Sequence, residues 1–464
     1  MICIKAIRRL DPDHATMKHI PFPSDLLEAR VPRYTSFPPA NRFSSDVGPA
    51  QMASWLDAVP DGASVSLYIH VPFCRRLCWF CACHTQGARS DEPVDRYLDH
   101  LEEEIAMVRA RLPVRLQVSA LHLGGGTPTL LSPDRLDRLA AMIAASFADE
   151  DDREFSVEID PAECDGARLD RLVAHGLTRA SIGVQDFDPT VQSAIGRQQS
   201  AELTAETVQA LRDRGIGAIN FDLLYGLPHQ SQATLADTLR SVLEMRPDRI
   251  ALYGYAHVPW MSRRQRLIPD HVLPNSQERV AQSSMAREAL IANGYVPVGI
   301  DHYALPHDAL AVAARAGTLR RNFQGYTTDE ASTLIGLGPS AVSRFVQGYA
   351  QNAPVTGQWQ SALSGGALAT VRGHLLSPSD RLHADIIEAL MCSGSVDLAD
   401  CCTRHDANLE PFIRIARDAV KQMPGAARLE GTRITVTSPL CTRLIASRFD
   451  PALERSEGRF SKAS

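Results

Sequence analysis

The sequence predicts an α/β protein whose main part is a partial TIM-like barrel of six β/α units, and two observations predict this fold. Short apolar runs alternate with amphipathic stretches from Ser64 to Tyr255, as in parallel strands joined by helical crossovers. Glycine-rich or polar residues follow the apolar runs, where β/α barrels bind their ligands. With 464 residues, of which 44% are hydrophobic, the chain is long enough for a barrel and a further domain.

Each predicted barrel unit begins with an apolar run that is too short for a buried helix. The predicted strands are 66–71, 118–123, 154–160, 179–184, 219–226 and 249–255. Helices are expected between them at 95–112, 133–147, 169–175, from 189 onward and at 231–245. Because the connections are helical, we expect consecutive strands to be parallel.

The flanking segments differ from the barrel in composition. Residues 1–35 are expected to form an irregular N-terminal arm, because prolines at 12, 21, 23 and 32 interrupt any helical period. The barrel is assigned to 36–362. Residues 363–464 are assigned to a small, mainly helical C-terminal domain with helices at 381–392 and 411–423 and a hairpin at 427–437. A DNA-binding winged helix has this outline, but the segment is not strongly basic, which favours a lid or a structural role.

Charge and cysteine usage indicate where the protein works. Lys and Arg number 48 and Asp and Glu 54, a net charge of −6, so the chain lacks the cationic excess of nucleic-acid-binding proteins. No apolar run reaches the roughly 18 residues of a membrane span, and the N-terminus lacks the apolar segment of a signal peptide. Ten cysteines without a pairing pattern favour a reducing compartment. We expect a cytoplasmic protein that binds neither membranes nor nucleic acid.

Four cysteines, Cys74, Cys78, Cys81 and Cys83, lie within ten residues. Thiolates this close along a loop suit a metal centre better than strained disulfides. A zinc site is the less favoured alternative, because the neighbouring histidines do not complete a familiar zinc spacing. The spacing C-x3-C-x2-C after a first barrel strand resembles the radical S-adenosylmethionine (SAM) superfamily, in which three thiolates hold a 4Fe-4S cluster and one iron stays open for SAM.

The fourth cysteine raises the question of how many thiolates bind. A one-residue spacer makes it awkward for Cys81 and Cys83 to ligate one cubane together, so Cys74, Cys78 and Cys81 are the expected ligands. The alternative, a fourth thiolate, would close the site and make a plain electron-transfer cluster.

Several residues at the predicted strand ends could bind a ligand. Gly125, Gly126 and Thr127 follow the second strand, where the lack of side chains lets a backbone pair with the amino group of SAM; a plain turn is the alternative. The charged and amide side chains at the later strand ends are Glu158, Gln185, Arg197 and Asp222. Any one of them alone could be a surface or capping group, but their common position favours a binding role, with Arg197 neutralising a carboxylate.

Longer sequence blocks carry a closer resemblance. They are Pro32-Arg-Tyr-Thr-Ser-Phe-Pro38, Tyr68-Ile-His-Val-Pro-Phe-Cys74, Cys78-Trp-Phe-Cys-Ala-Cys-His84, His122-Leu-Gly-Gly-Gly-Thr-Pro-Thr129, Val157-Glu-Ile-Asp-Pro161, Gly183-Val-Gln-Asp-Phe187, Asn220-Phe-Asp-Leu-Leu-Tyr-Gly-Leu-Pro228, Tyr255-Ala-His-Val-Pro259, Asp301-His-Tyr-Ala304 and Arg321-Asn-Phe-Gln-Gly-Tyr-Thr-Thr328. Together they resemble the oxygen-independent coproporphyrinogen III oxidases of the radical SAM superfamily, from about Pro32 to the C-terminus.

The resemblance implies an oxidoreductase of anaerobic haem (porphyrin) biosynthesis. Such an enzyme converts two propionates of coproporphyrinogen III to vinyl groups, giving protoporphyrinogen IX, and consumes SAM as oxidant. A 5′-deoxyadenosyl radical takes a β-hydrogen from the propionate, and an electron donor such as flavodoxin or ferredoxin reduces the cluster. A monomer is the expected state. A haem-binding chaperone of the same superfamily is the alternative, and an iron–sulfur electron carrier is a more distant one.

The resemblance also assigns residues. Those matching positions around the SAM beside the cluster are Tyr68, Gly126, Thr127, Glu158, Gln185, Arg197, Asp222 and Ala256, and Phe80 matches an aromatic residue packed beside the cluster. Phe323, Gln324 and Val342 match positions around a second SAM, so one or two SAM molecules are expected. Because the substrate carries four carboxylates, Arg33, Arg320 and Arg321 are candidates for binding it. His122, His257 and His302 are expected to support neighbouring side chains rather than bind metal.

Overall fold

A twelve-stranded sheet forms the centre of the computed structural model, which describes residues 28–453 and 460. In chain order, the strands of the described residues are β1 Ser64–Val71, β2 Phe73–Cys74, β3 Gln86–Gly87, β4 Gln117–Gly125, β5 Ala148–Ile159, β6 Arg179–Gln185, β7 Ala218–Tyr225, β8 Arg249–Gly254, β9 Val296–Val298, β10 His302–Ala304, β11 Arg320–Asn322, β12 Gly325–Thr327, β13 Thr333–Leu337, β14 Val342–Arg344, β15 Gly348–Asn352, β16 Thr370–Leu375, β17 Ser395–Asp397, β18 Ala427–Glu430 and β19 Arg433–Val436. The large sheet has the order β16-β15-β14-β13-β1-β4-β5-β6-β7-β8-β10-β9.

The predicted fold class is confirmed by the pairing of these strands. The six predicted barrel strands, β1 and β4 to β8, are consecutive parallel neighbours. A seventh parallel strand, β13, pairs with β1 on its other side, and the sequence analysis missed it because no helical unit leads into it. Antiparallel strands extend both ends of the sheet. The barrel is therefore partial, since the sheet ends in two separate edge strands.

Helices connect the parallel strands. The α-helices of the described residues are Pro49–Asp57, Glu92–Arg109, Pro133–Ser146, Gly166–Ala174, Pro189–Ile195, Ala201–Asp213, Gln232–Met245, Ser276–Ala292, Ala309–Ala316, Thr356–Ser364, Pro378–Ser393, Leu398–Arg404, Glu410–Gln422 and Thr442–Ser447. Side chains set several starts: the Asp188 carboxylate accepts the N–H groups of Thr190 and Val191 at 2.9 and 3.0 Å, which satisfies donors that a helix start leaves free. Within this part of the chain, none of the helices is long and apolar enough to cross a membrane.

The C-terminal part has its own hydrophobic core. Ile386, Leu390 and Phe449 are fully buried there, and Val31, Tyr34 and Phe37 pack into the same core from the N-terminal side. The hairpin predicted at 427–437 is confirmed as β18 and β19, which form a three-stranded sheet with β17.

The strand β16 bears on the predicted domain boundary at 362. It pairs antiparallel with β15, so the large sheet extends into the segment that we assigned to the C-terminal domain. Residues 31–35, assigned to the arm, supply Val31 and Tyr34 to the C-terminal core. We therefore propose a boundary after Leu375 and an arm that ends before Val31. Residues 1–27 of the predicted arm lie outside the described residues.

Glu104 is a buried carboxylate in the helix Glu92–Arg109, with 2% of its surface exposed. It accepts hydrogen bonds from the Gly338 N–H and the Asn352 amide, both at 2.6 Å, and so ties the helix to the turn after β13. Burial raises its pKa to about 7, although these hydrogen bonds partly oppose the shift.

The Glu104→Gln variant is expected to lose part of the pH dependence of stability. Because the folded-state pKa is raised above the ordinary value of 4.5, the folded protein holds a proton that the unfolded chain releases. Stability is then lost as pH rises from about 4.5 to 7, on the order of 3 kcal/mol in all. The thermal midpoint, measured anaerobically, should fall further between pH 5 and pH 8 in the wild type than in the variant. Equal shifts in both proteins would contradict this assignment.

Candidate active site

The cysteine loop follows β1, leaving the large sheet at its carboxyl edge. Two neighbours fix it: Gln265 Nε2 donates to the Phe80 carbonyl at 2.7 Å, and Ser262 Oγ donates to the Cys81 carbonyl at 2.8 Å. The Trp79 N–H donates to the Ile195 carbonyl at 2.8 Å. The backbone of the loop is therefore held by residues after β6 and β8, two strand ends at the same edge of the sheet.

The four loop cysteines are free thiols with different surroundings. Cys78 is buried, Cys74 and Cys81 are half-buried, and Cys83 is exposed. The Cys83 N–H donates to Cys81 Sγ at 3.4 Å. A side-chain hydrogen bond from Cys83 lowers the pKa of the Cys81 thiol to about 6 and raises the pKa of Cys83 itself. Cys81 is thus favoured as a thiolate, while Cys83 keeps its proton and acts as the donor.

Burial raises the pKa of Cys74 to about 11, and a hydrogen bond from Thr127 partly opposes that shift. Among the described residues, no three His, Cys, Asp or Glu side chains converge closely enough to hold a single metal ion. A four-iron cluster offers a different iron to each thiolate, so its ligands need not converge on one point.

Arg197 connects the cysteine loop to the ends of two strands. Its Nη2 donates to the Gly183 carbonyl at 2.7 Å in β6, and its Nη1 lies 3.2 Å from Asp160 Oδ2 after β5. The same Nη1 donates to Cys78 Sγ at 3.6 Å. The guanidinium is buried, and its Nε has no hydrogen-bond partner among the described residues. This places a cation beside a buried thiol, where it stabilises negative charge.

The glycines after β4 lie against the connection between β1 and β2. The Gly126 N–H donates to the Val71 carbonyl at 2.8 Å, and the Thr127 N–H donates to the Phe73 carbonyl at 2.8 Å. A Cβ at Gly126 would lie 2.5 Å from the Phe73 oxygen and 2.7 Å from the Val71 oxygen. The backbone at position 126 lies so close to the backbone of Val71 and Phe73 that only glycine fits, because Cβ atoms do not come this close to other atoms.

Glu158, at the end of β5, lies next to these glycines. Its Oε2 accepts the Gly125 N–H at 2.9 Å, and its Oε1 lies 3.6 Å from His122 Nε2. The His122 ring stacks on Tyr68, with centroids 5.7 Å apart and planes 14° apart. Burial by itself raises the pKa of Glu158, but hydrogen bonding to His122 and Gly125 outweighs it, so the pKa lies below its usual value. The carboxylate is therefore charged, and its side chain keeps 42% of its exposure.

Asp222 in β7 is the second carboxylate of this group. It accepts hydrogen bonds from Ser181 Oγ at 3.1 Å and Asn220 Nδ2 at 2.9 Å. Burial, followed by the charge of Glu158, raises its pKa. The two carboxylates thus lie close enough for the charge of one to hinder ionisation of the other.

Gln185 ends β6 in the left-handed region at φ 68°, which is uncommon for a residue with a side chain and marks local strain. Its amide and the Arg197 guanidinium both face Gly183. A Cβ added at Gly183 would lie 3.1 Å from Gln185 Nε2 and 3.2 Å from Arg197 Nη2. Ala256 lies just after β8, where its carbonyl accepts Gln265 Nε2 at 3.1 Å. Phe80 packs against a group of buried hydrophobic side chains that includes Ile195. The residues predicted around the first SAM are therefore brought to one edge of the sheet.

Comparison with known proteins decides which family this arrangement belongs to. A profile of the radical SAM superfamily matches residues 68–242. An oxygen-independent coproporphyrinogen III oxidase from Paracoccus denitrificans is 49% identical over 427 residues, which cover 92% of this chain and 95% of the relative. The chain belongs to the oxygen-independent coproporphyrinogen III oxidase family. The family member from Escherichia coli is 37% identical over 441 residues, covering 93% of this chain and 95% of that one.

A solved structure of this family shares the fold. The structure of coproporphyrinogen III oxidase from Escherichia coli, described as a radical SAM enzyme, matches with a TM-score of 0.86 and 35% identity. The match covers 92% of this chain and 100% of that one. The resemblance to this family and the radical SAM type of partial barrel are thereby confirmed, and the haem-chaperone alternative is not favoured.

The three residues assigned to a second SAM form another group. Phe323 lies between β11 and β12 and contacts the Tyr349 ring, with centroids 5.6 Å apart and planes 80° apart. Val342 packs in the same small cluster and lies over Gly336, which pairs with Tyr68 of β1. The Oε1 of Gln324 is buried without a hydrogen-bond partner in the described residues. An unsatisfied buried acceptor of this kind fits a missing ligand or water.

The candidate arginines have different surroundings. Arg320 is exposed and paired with Glu388 at 3.1 Å, so its charge already has a partner. Arg33 and Arg321 lie instead near two arginines that the sequence analysis missed, Arg279 and Arg443.

The three candidate histidines all have protein partners, as expected for side chains that support their neighbours. The pairs are His122 with Ser156 and Glu158, His257 with Tyr255 and Asp270, and His302 with Asp301.

Two further residues of the site were missed. Asp160 pairs with Arg197, and its place in the block Val157-Glu-Ile-Asp-Pro161 was a signal that could have been used. Arg264 donates to the Cys83 carbonyl at 3.0 Å and to Thr85 Oγ1 at 2.9 Å. Nothing in the sequence around Arg264 indicates this contact, because it spans 181 residues.

Proposed function

We propose that Cys74, Cys78 and Cys81 hold the 4Fe-4S cluster with which this radical SAM enzyme decarboxylates two propionates of coproporphyrinogen III in anaerobic porphyrin biosynthesis. The product is protoporphyrinogen IX. The observation that carries the site assignment is the contact set of Arg197, which reaches Cys78, Asp160 and Gly183. One guanidinium group thus contacts the cysteine loop and the ends of both β5 and β6.

The donor set supports a cluster with one open iron. Cys81 is favoured as a thiolate by its hydrogen bonds from Cys83. Because one residue separates Cys81 from Cys83, joint ligation of one cluster by both is awkward, so we assign Cys83 as a hydrogen-bond donor to Cys81 and not as a fourth ligand. When bound, the reduced cluster and SAM would supply an organic radical that removes a β-hydrogen from a propionate; the substrate radical would then pass one electron to a one-electron acceptor and release carbon dioxide, leaving a vinyl group.

The residues around the cysteine loop bind and orient the first SAM in this proposal. Arg197 neutralises the SAM carboxylate, and the backbone of Gly125, Gly126 and Thr127 borders its amino group. Glu158 and Asp222 accept hydrogen bonds from the ammonium or the ribose hydroxyls, since the Glu158 carboxylate is charged and only half-buried. Tyr68, Phe80, Gln185 and Ala256 complete the surrounding surface.

The exposed part of the cysteine loop supports electron delivery from a separate protein. Residues 82–84 are exposed, so a donor such as flavodoxin or ferredoxin can approach the loop from solvent. We propose such a donor, and a monomer in the cytoplasm.

Anaerobic reconstitution tests this function directly. The purified protein, loaded with iron and sulfide and reduced, is incubated with SAM and coproporphyrinogen III. The expected products are divinyl porphyrinogen, carbon dioxide and 5′-deoxyadenosine. Formation of 5′-deoxyadenosine without a vinyl product would contradict the substrate, and a cluster that fails to cleave SAM would favour an electron carrier.

A second SAM is proposed at Phe323, Gln324 and Val342, supported by the buried unsatisfied Oε1 of Gln324. The Gln324→Ala variant is expected to bind one SAM per chain where the wild type binds two, because it loses the acceptor. Equilibrium dialysis with labelled SAM measures this ratio. The exposed Gln358→Ala serves as control and should behave as the wild type. A wild-type ratio of one, or no change in Gln324→Ala, would contradict the second site.

A further inference from the structure

Four arginines from distant parts of the chain lie together beside the carboxyl end of β8. They are Arg33, Arg279, Arg321 and Arg443, which we call the arginine patch. Each acts electrostatically on at least one other: Arg33 lowers the pKa values of Arg279 and Arg443, and Arg321 lowers that of Arg443, in both cases after the larger effect of burial. Such an effect requires proximity.

Arg33 and Arg279 meet at Gly254, the last residue of β8. Arg33 Nη2 donates to the Gly254 carbonyl at 2.7 Å. A Cβ at Gly254 would lie 3.0 Å from Arg279 Nη2. Arg33 is exposed, whereas Arg279 is buried against the Tyr225 ring, 5.6 Å from its centroid. One guanidinium of this pair is thus open to a ligand, and the other lies beneath it.

Arg321 and Arg443 hold the backbone that carries Arg33. Arg443 Nη2 donates to the Val31 carbonyl at 2.6 Å, and its Nε donates to the Pro32 carbonyl at 3.2 Å. Arg321 Nε donates to the Tyr34 carbonyl at 3.2 Å. These contacts fix the position of the segment that carries Arg33.

One buried donor of the patch has no partner. Arg321 is 8% exposed, and its Nη1 makes no hydrogen bond within the described residues. Its ring contact with Tyr326, 4.4 Å from the centroid, does not satisfy that N–H. The nearby carboxylate of Asp301 is already hydrogen-bonded to His302 at 2.7 Å. A buried unsatisfied guanidinium N–H in a cationic region indicates a site for an anionic acceptor.

The arginine patch and the residues assigned to SAM share a neighbour, Tyr253. Asp301 and Asp222 both raise the pKa of Tyr253 after the larger effect of burial, and Arg321 and Arg33 oppose them. Tyr253 therefore lies near both Asp222 and the arginine patch, on the strand β8 that pairs with β7. Its Oη lies 3.5 Å from His302 Nε2.

We propose that the arginine patch binds the propionate carboxylates of the porphyrinogen that are not being decarboxylated. This rests on the proposed function. A reacting propionate must place its β-carbon beside the bound SAM, so we assign a carboxylate held at the arginine patch to another ring of the same tetrapyrrole. Guanidinium groups suit this role because they bind carboxylates through paired hydrogen bonds.

Titration of the cluster-loaded protein with two stable porphyrins tests the proposal. Coproporphyrin III carries four propionates, and protoporphyrin IX keeps only the two that survive the reaction. In Arg33→Gln and Arg321→Gln, the Kd for both porphyrins should rise about tenfold or more, the effect of one lost charged hydrogen bond. The control is Arg315→Gln, an exposed arginine that likewise donates to a backbone carbonyl, that of Pro306 at 2.8 Å; its Kd values should stay within about twofold of the wild type.

The outcomes separate this proposal from its alternatives. Unchanged Kd values in Arg33→Gln and Arg321→Gln would overturn it, and weaker binding of coproporphyrin alone would assign the patch to the reacting propionates instead. Arg321→Lys keeps the charge and should recover part of the affinity, which a folding defect in Arg321→Gln would not explain. Failure of the wild type to form a vinyl product would overturn the proposed function on its own, before any variant is compared.

Discussion

Cys78→Ala is expected to lose the cluster, SAM cleavage and decarboxylation together. Cys78 is the buried member of the loop, and its sulfur accepts a hydrogen bond from Arg197 at 3.6 Å. Removing it leaves two of the proposed ligands and a buried guanidinium that has lost a partner. Iron per chain, measured after anaerobic reconstitution, should fall from about four to near zero, and the visible absorbance of the cluster should disappear.

Cys83→Ala is the matched control, because it removes a thiol from the same loop. Cys83 is exposed and acts as the hydrogen-bond donor to Cys81. The variant should keep the cluster and cleave SAM, with at most a shift of cluster potential from the lost S–H donor, because the backbone N–H that donates to Cys81 Sγ remains. Loss of iron equal to that of Cys78→Ala would show that four thiolates bind, and the three-ligand assignment would then be wrong.

Gly126→Ala is expected to lower kcat/KM for SAM-dependent decarboxylation by about a hundredfold or more. The added methyl would meet the Phe73 oxygen at 2.5 Å, the Val71 oxygen at 2.7 Å and the Phe73 nitrogen at 2.9 Å. These are backbone atoms, and relieving the clash breaks the hydrogen bonds that Gly126 and Thr127 donate to the same segment. Displacements near 1 Å are enough for losses of this size.

The control for this variant is Gly217→Ala. Gly217 precedes β7, and no atom lies within 4 Å of the position of an added Cβ. Its kcat/KM and thermal midpoint should remain close to the wild type, whereas overpacking in Gly126→Ala should also cost about 1–3 kcal/mol of stability. Full activity in Gly126→Ala would mean that the segment after β4 can shift without affecting SAM.

The sequence predicted those parts of the site that are local in the chain. The cysteines lie within ten residues, and Gly125, Gly126 and Thr127 are consecutive, so their spacing is visible without a structure. The six parallel strands were predicted for the same reason, because each strand and its helix form one local pattern. The ends of those strands then placed Glu158, Gln185 and Asp222 at one edge of a sheet.

Contacts between distant residues required the tertiary structure. Strand β13 pairs with β1 across 268 residues of sequence, from Val65 with Thr333 to Ile69 with Leu337, and no local pattern indicates that pairing. The contact between Arg33 and Gly254 spans 221 residues. Arg279 joins Arg33 from a helix that packs against the barrel, and Arg443 joins it from the C-terminal part. The sequence by itself thus determined the fold class and the cysteine and glycine motifs, because hydrophobic period and turn chemistry are local. Only the tertiary structure decided how Arg197 reaches Cys78 and how the arginine patch assembles, because burial and charge proximity depend on the whole chain.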